Sequence, residues 1–214
     1  MQTITSIAPD PRRQGRFLVA VDGEPRATLS VEAIDRLRLA HGKALDERLE
    51  LEITRETMVL DVFDRALNML ALTARSSSDL RQRLVRKGAS PEIVDVAIER
   101  LQHAGFLDDA SFARQFARSK ALGAGLSRRR VLEDLLRKGV ASPIAADAVA
   151  DVFDEEQIDE PGALEDLARR RLRSLSKLDV HTQRRRLFAY LVRRGYAPND
   201  IAVVSRSLIG ETND

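Results

Sequence analysis

Cysteine and tryptophan are absent from the 214 residues, and aromatic side chains make up only 4%. Without thiols there can be no disulfide and no thiolate metal site, which fits a reducing compartment. With so few rings, stacking on nucleobases cannot be the main source of any nucleic-acid affinity. No apolar run approaches the roughly 20 residues that cross a bilayer. Residues 1–20 carry Pro9, Pro11 and scattered charges where a secretory leader would be apolar. A cytoplasmic chain without membrane contact is the expectation. Histidine is scarce too. His41, His103 and His181 lie far apart with no acidic partner at ligand spacing, so neither a metal centre nor a nucleophile–base pair is expected.

What the chain has is repetition. The string LVRKG at Leu84 to Gly88 returns as LLRKG at Leu135 to Gly139 and as LVRRG at Leu191 to Gly195, with spacings of 51 and 56 residues. Leu80, Val131 and Leu187 stand four residues before each opening leucine. Pro91, Pro143 and Pro198 follow, then Ile93, Ile144 and Ile201. Each copy reads as a helix ending in a basic turn, a left-handed glycine, and a proline opening the next helix. Ser90 and Ser142 are natural N-caps before Pro91 and Pro143, and Ala197 is a poorer one. Leu84, Leu135, Leu191 and the three isoleucines are assigned to the core. Phe106 and Tyr196 each follow a glycine and should seal its turn.

Upstream of each basic helix lies another amphipathic run: Val62, Leu67, Leu70 and Leu72; Phe112, Phe116 and Ala117; Leu164, Leu167 and Leu172. Three helices per repeat follow. Residues 1–30 instead alternate, with Phe17, Val19 and Val21 before an Asp22-Gly23 turn, as in a β-hairpin or small meander. A helix from about Val31 to Ala40 should pack on it. Leu45, Leu49, Leu51 and Ile53 fit strand or helix, with helix preferred. The expected fold is mainly α, a tandem array of three three-helix repeats, elongated and curved, behind a small N-terminal β-hairpin and helix. The divisions are 1–57 for the extension and 58–108, 109–159 and 160–214 for the repeats, with a linker at Asp159 to Gly162.

Net charge is only +2, from 35 Lys and Arg against 33 Asp and Glu, but the signs are segregated. The first basic helix carries Arg75, Arg81, Arg83, Arg86 and Lys87. The second carries Arg128, Arg129, Arg130, Arg137 and Lys138. In the third repeat, residues 169–194 carry Arg169, Arg170, Arg171, Arg173, Lys177, Arg184, Arg185, Arg186, Arg193 and Arg194 against Asp179. Residues 140–166 hold nine acidic side chains and no Lys or Arg. A run of cations that repel one another suits an anionic partner, through sequence-tolerant phosphate contact or an acidic protein surface. Arg128 to Arg130 open a helix, where cations oppose the helix dipole, which favours a functional reason for them. The acidic helices favour a protein partner with basic patches.

Enzymatic alternatives are thin. Asp108 and Asp109 are the most nuclease-like pair, yet they suit the cap of a helix beginning near Ala110. Gly123 and Gly125 lack the Lys-Ser or Lys-Thr of a phosphate-binding loop and read as a flexible connector. The residues alone leave two readings open, a regulator that binds a filament and a stand-alone DNA-binding protein of tandem helical modules.

ARSSSDLRQRLVRKG at Ala74 to Gly88 and LQHAGFLDDASFA at Leu101 to Ala113 resemble the signature segments of the RecX family, and Gly123 to Gly139 is similar to its glycine loop and second basic helix. Ala74 and Asp79 depart from the family's usual basic residue and glutamate. The resemblance covers residues 58–210. It implies a non-enzymatic, cofactor-free monomer that binds the RecA filament on single-stranded DNA in its groove. It also implies restraint of RecA's recombinase, ATPase and coprotease activities in DNA repair and the SOS response. Direct DNA contact is left open.

Overall fold

The structure is a computed structural model that describes residues 2–210. Four antiparallel strands, β1 (Gln2–Pro9), β2 (Arg16–Val21), β3 (Glu24–Ser30) and β4 (Ala44–Leu45), form a sheet of order β3-β2-β1-β4. The hairpin expected about Asp22-Gly23 is thus β2–β3, at one edge of a larger sheet in which β1, β2 and β3 form a meander and β4 adds to β1. Asp22 and Gly23 both take positive φ (50° and 88°), as a tight hairpin turn requires. Alternation places Val19, Val21, Ala27 and Leu29 on one face, where Ile4 joins them. The helix expected to Ala40 stops earlier. α1 spans Val31–Arg36, with Ser30 capping the amide of Ala33.

Ten helices follow in all among the described residues: after α1 come α2 (Glu47–Leu72), α3 (Ser77–Arg86), α4 (Pro91–His103), α5 (Asp109–Arg118), α6 (Arg128–Arg137), α7 (Ser142–Glu155), α8 (Glu160–Leu175), α9 (Val180–Arg193) and α10 (Pro198–Ile209). A π-helical turn, Ser119–Gly123, extends α5 where a flexible connector was expected. The segment Glu160 to Gly162, expected as linker, is the first turn of α8, with Pro161 at an initial position where its missing N–H costs nothing. Ser90 holds its N-cap position without a side-chain capping bond, and α7 is capped by Ala141 because Ser142 is already helical.

α2 is the element that the sequence pattern divided wrongly. It runs unbroken through residue 57, and Leu51 is 65% exposed, so the helical spacing of Leu49 and Ile53 prevails over the strand alternation. Leu49 and Ile53 pack on the sheet core, and Val59, Val62 and Ala66 pack with α3 and α4. Leu72, read as apolar-face, is 85% exposed.

The chain divides into two compact units, residues 1–75 with 79–107, and residues 76–78 with 108–214. Each repeat owns a core. Leu80, Leu84, Val94 and Leu101 centre the first, Val131, Leu135, Val149 and Phe153 the second, and Leu187, Leu191, Tyr196 and Ile201 the third. Ile93 and Ile144 are only half-buried. Tyr196 seals its turn as expected, whereas Phe106 is 57% exposed.

In the first unit, Glu56 of α2 is 9% exposed and paired with Arg36 and Arg100 at 2.5 and 3.0 Å. Burial pushes its carboxyl up, but hydrogen bonds from Arg100 and Arg36 outweigh that and hold it below the ordinary 4.5. A depressed folded-state value means that the ion pair's contribution is complete above 4.5 and is lost as pH falls through the lower folded value. Glu56→Gln should therefore lower the urea midpoint at neutral pH and flatten its fall on acidification. Urea titrations of both proteins between neutral pH and about pH 3 check this. Parallel acid limbs would refute it.

Candidate polyanion-binding face

Two of the three basic turns that the sequence pattern marks most strongly, those of Gly139 and Gly195, are joints inside the second unit. Ser127, the buried N-cap of α6, donates its amide to the carbonyl of Arg194 at 3.0 Å, while Arg129 Nε reaches the Gly195 carbonyl at 3.3 Å. Arg194 Nε and the Tyr196 hydroxyl return bonds to the carbonyls of Ala124 and Gly125, at 3.2 and 3.3 Å. The carbonyl end of α9 thereby meets the amide end of α6, which satisfies orphan groups of both and sets opposite dipole ends together. Burial, with Glu160 nearby, pushes the Tyr196 phenol up to about 12, so it remains a neutral donor.

The same joint recurs 51 residues earlier. Ser76, fully buried, donates Oγ to the carbonyl of Lys138, and the Ser77 amide donates to Asp109 at 2.7 Å. A Cβ on Gly139 would collide with Ser78, and one on Gly195 with Arg130 and Ser127; one on Gly88 would meet nothing. All three glycines take positive φ. Alanine at Gly88 should cost about 1–2 kcal/mol for the left-handed backbone alone. Alanine at Gly139 or Gly195 should cost about 1–3 kcal/mol more, through overpacking. Chemical denaturation of the three variants checks this, and equal destabilisation at all three would sink the joint.

The candidate contact residues divide by how they are partnered. On and before α3, Arg75 and Arg83 both bind Asp79 at 2.9 Å, Arg81 binds Asp95 at 2.5 Å, and Arg86 donates to Gln82. Burial pushes the Asp79 carboxyl up, and the two guanidiniums more than offset this and hold it low. Lys87 is exposed.

The α6 arginines are partnered as well. Arg128 reaches Asp154 at 3.2 Å and Glu160 at 3.9 Å and lies over the Phe153 ring, while Arg129 pairs with Glu133 and Arg130 and Arg137 with Asp134. The dipole argument for a functional role at Arg128 to Arg130 therefore weakens, because carboxylates from α7 and α8 supply the compensation. Lys138 sits 5.2 Å from the Phe116 ring.

The acidic helices are engaged in the same way. Asp151 binds Arg114, and Glu155 and Glu156 bind Arg118. They no longer argue for a basic partner.

The third repeat differs. Arg169 pairs with Glu165 at 2.6 Å. Arg170, Arg171, Arg173, Lys177, Arg184, Arg185, Arg186, Arg193 and Arg194 form no ion pair among the described residues. Arg170 and Arg184 donate only to backbone carbonyls, of Asp166 and Gly210. Arg171 and Arg194 flank Tyr190 at 5.1 and 3.7 Å from its centroid, an arrangement with no signal in the sequence. Arg173, Lys177, Arg185, Arg186 and Arg193 are exposed. Asp179, the acid among them, caps α9 through the Thr182 amide, which holds its carboxyl low.

No cluster able to hold a metal exists among the described residues. Asp108 accepts from the amides of Ala110 and Ser111, the capping role expected of it, and Asp109 accepts from Ser77. No described helix is long and apolar enough to cross a membrane.

Three family profiles match in order: the first three-helix domain of RecX over residues 63–101, the second over 108–149 and the third over 159–204. The chain belongs to the RecX family. Regulatory protein RecX of Amycolatopsis mediterranei is 40% identical over 129 residues, 60% of this chain and 72% of that one. That of Mycolicibacterium smegmatis is 34% identical over 145 residues, 67% and 75% of the two chains. A crystal structure of regulatory protein RecX superposes with a TM-score of 0.76 at 19% identity, covering 95% of this chain and 98% of that one, which shows a shared fold. The RecX structure from Lactobacillus salivarius matches at 0.56 over 71% of this chain and 96% of that one, with 17% identity. This is thus a member of a family of regulatory proteins, and it carries the family's three helical domains.

Proposed function

We propose that the chain regulates the RecA recombinase by docking in the groove of the RecA filament on single-stranded DNA, through the exposed cations of the third repeat. Bound there, it restrains filament growth and the recombinase, ATPase and coprotease activities that depend on the filament. The observation that carries this reading is the contrast in pairing. Arg81 and Arg83 of α3 and the four arginines of α6 are compensated by the chain's own carboxylates, whereas the cations of α8 and α9 have almost no acidic partner among the described residues. Such a face is at its lowest energy against an external anion. It acts in the cytoplasm, as a monomer and without catalysis, since Asp108 and Asp109 are occupied by backbone amides.

Co-sedimentation at physiological salt tests it, comparing RecA filaments on single-stranded DNA with the DNA alone. Preferential pelleting with filaments is expected, with neither DNA nor nucleotide hydrolysed by the chain itself. Equal pelleting with bare DNA would replace this reading by the stand-alone DNA binder, which the internal pairing of the acidic α7 residues also favours.

A further inference from the structure

Three times among the described residues, two arginines close on one carboxylate. Arg36 and Arg100 meet at Glu56, Arg75 and Arg83 at Asp79, and Arg130 and Arg137 at Asp134. Two guanidiniums repel, and in each pair the shared acid offsets the repulsion. A fourth pair is built without an acid. Arg171 of α8 and Arg194, the C-cap of α9, lie over the Tyr190 ring at 5.1 and 3.7 Å from its centroid. Neither forms an ion pair among the described residues.

All three side chains are half-buried, and Tyr190 packs against the core of the third repeat. The negative face of the ring attracts each cation but leaves both positive charges uncancelled. Such contact occupies the face of a planar guanidinium, and the N–H groups at its edges stay available. Arg194 gives one of its five, at Nε, to the Ala124 carbonyl at 3.2 Å. Arg171 has one long contact, 3.4 Å, to the Ser174 hydroxyl. The fold therefore orients the pair before any ligand arrives, which lowers the entropy cost of binding. What the pair lacks is an oxyanion.

Its neighbours choose between the two common sources of one. Arg186 and Arg193 stand one turn before and one turn after Tyr190 on α9, exposed and likewise without an ion pair among the described residues. A single carboxylate of a partner protein would fill the pair and leave this row unmatched. A nucleic-acid strand repeats its charge at every nucleotide and meets the row as well as the pair. Phosphate also suits the planar, bidentate donors of arginine.

We infer that Arg171 and Arg194, held by Tyr190, form a subsite for one backbone phosphate of a nucleic-acid strand. This subsite rests on the third repeat being the contact face, and it brings that face into direct contact with phosphate.

Arg171→Lys is the informative variant, because lysine keeps the charge and loses the planar fork. Fluorescein-labelled oligothymidylate is titrated by anisotropy against the full chain at about 50 mM salt, where phosphate contact is strong. Arg171→Lys should bind about tenfold more weakly, the scale of one charge-assisted hydrogen bond. Arg173→Lys, at an exposed side chain, should match the wild type. Tyr190→Leu should behave like Arg171→Lys, with circular dichroism confirming the fold of each variant. If both lysine variants bind as the wild type does, or if the wild type gives a flat titration, the subsite is overturned. RecA filaments on the same oligonucleotide form the second arm. A loss by Arg171→Lys confined to that arm would overturn the phosphate in favour of a carboxylate on the filament protein. A wild type with no preference for filaments, with the oligothymidylate loss intact, would instead sink the docking reading and leave the subsite standing.

Discussion

Reversing Arg185, Arg186 and Arg193 to Glu together should abolish stable filament binding, with affinity falling about 100-fold or more at physiological salt. The three side chains are exposed on α9, away from the buried Leu187 and Leu191, and make no ion pair among the described residues. The reversal thus breaks no ion pair of the fold, and the melting temperature should move by no more than about 2 °C. The salt dependence should flatten as well, by about 0.7–0.9 in log–log slope for each phosphate no longer neutralised. Anisotropy on labelled filaments across a salt series, with a thermal melt of the same sample, measures all three quantities. A reversed protein that binds normally places the contact surface elsewhere and leaves the third-repeat cations merely solvated.

The second large effect lies in the core and should show the opposite pattern. Leu84, Leu135 and Leu191 are 1%, 0% and 0% exposed, and each closes the core of its own repeat. Truncation to alanine should cost about 2–5 kcal/mol at each position, from forfeited transfer energy plus the cavity left behind. For a chain of this size that is a fall of about 4–20 °C in melting temperature. Leu136 is 42% exposed, and Leu136→Ala should stay within about 0.5 kcal/mol. Differential scanning calorimetry separates the two, and a Leu135→Ala variant melting with the wild type would refute the burial assignment.

The leucine-basic-glycine turn was legible because it answers to local chemistry. A left-handed glycine, a proline opening the next helix and leucines at helical spacing are needed wherever such a turn is built. The Asp108 cap was legible for the same reason. What the turns do was not, since the joint depends on Ser76 and Ser127 meeting carbonyls 62 and 67 residues away. The meaning of Arg128 to Arg130 was hidden likewise. Asp154 and Glu160 lie in other helices, and only folding brings them to the α6 terminus. The candidate face itself was half legible. The density of cations in the third repeat was plain, but its distinction from the other two repeats rests on pairing, which is a tertiary property. Phe106 misled because its position after Gly105 matches that of Tyr196 after Gly195, while one ring is buried and the other faces an open cleft.

The 26-residue helix α2 serves two cores, and this limits how its length can vary. Each added residue turns everything beyond it by about 100° and advances it by about 1.5 Å. One residue inserted between Ile53 and Val59 would carry Val59, Val62 and Ala66 off the first-repeat core, whichever residue it was. Seven would return them to nearly the same face, about 20° out, at the cost of an axial shift of about 10 Å. In this stretch the count of residues is under constraint independently of their identity.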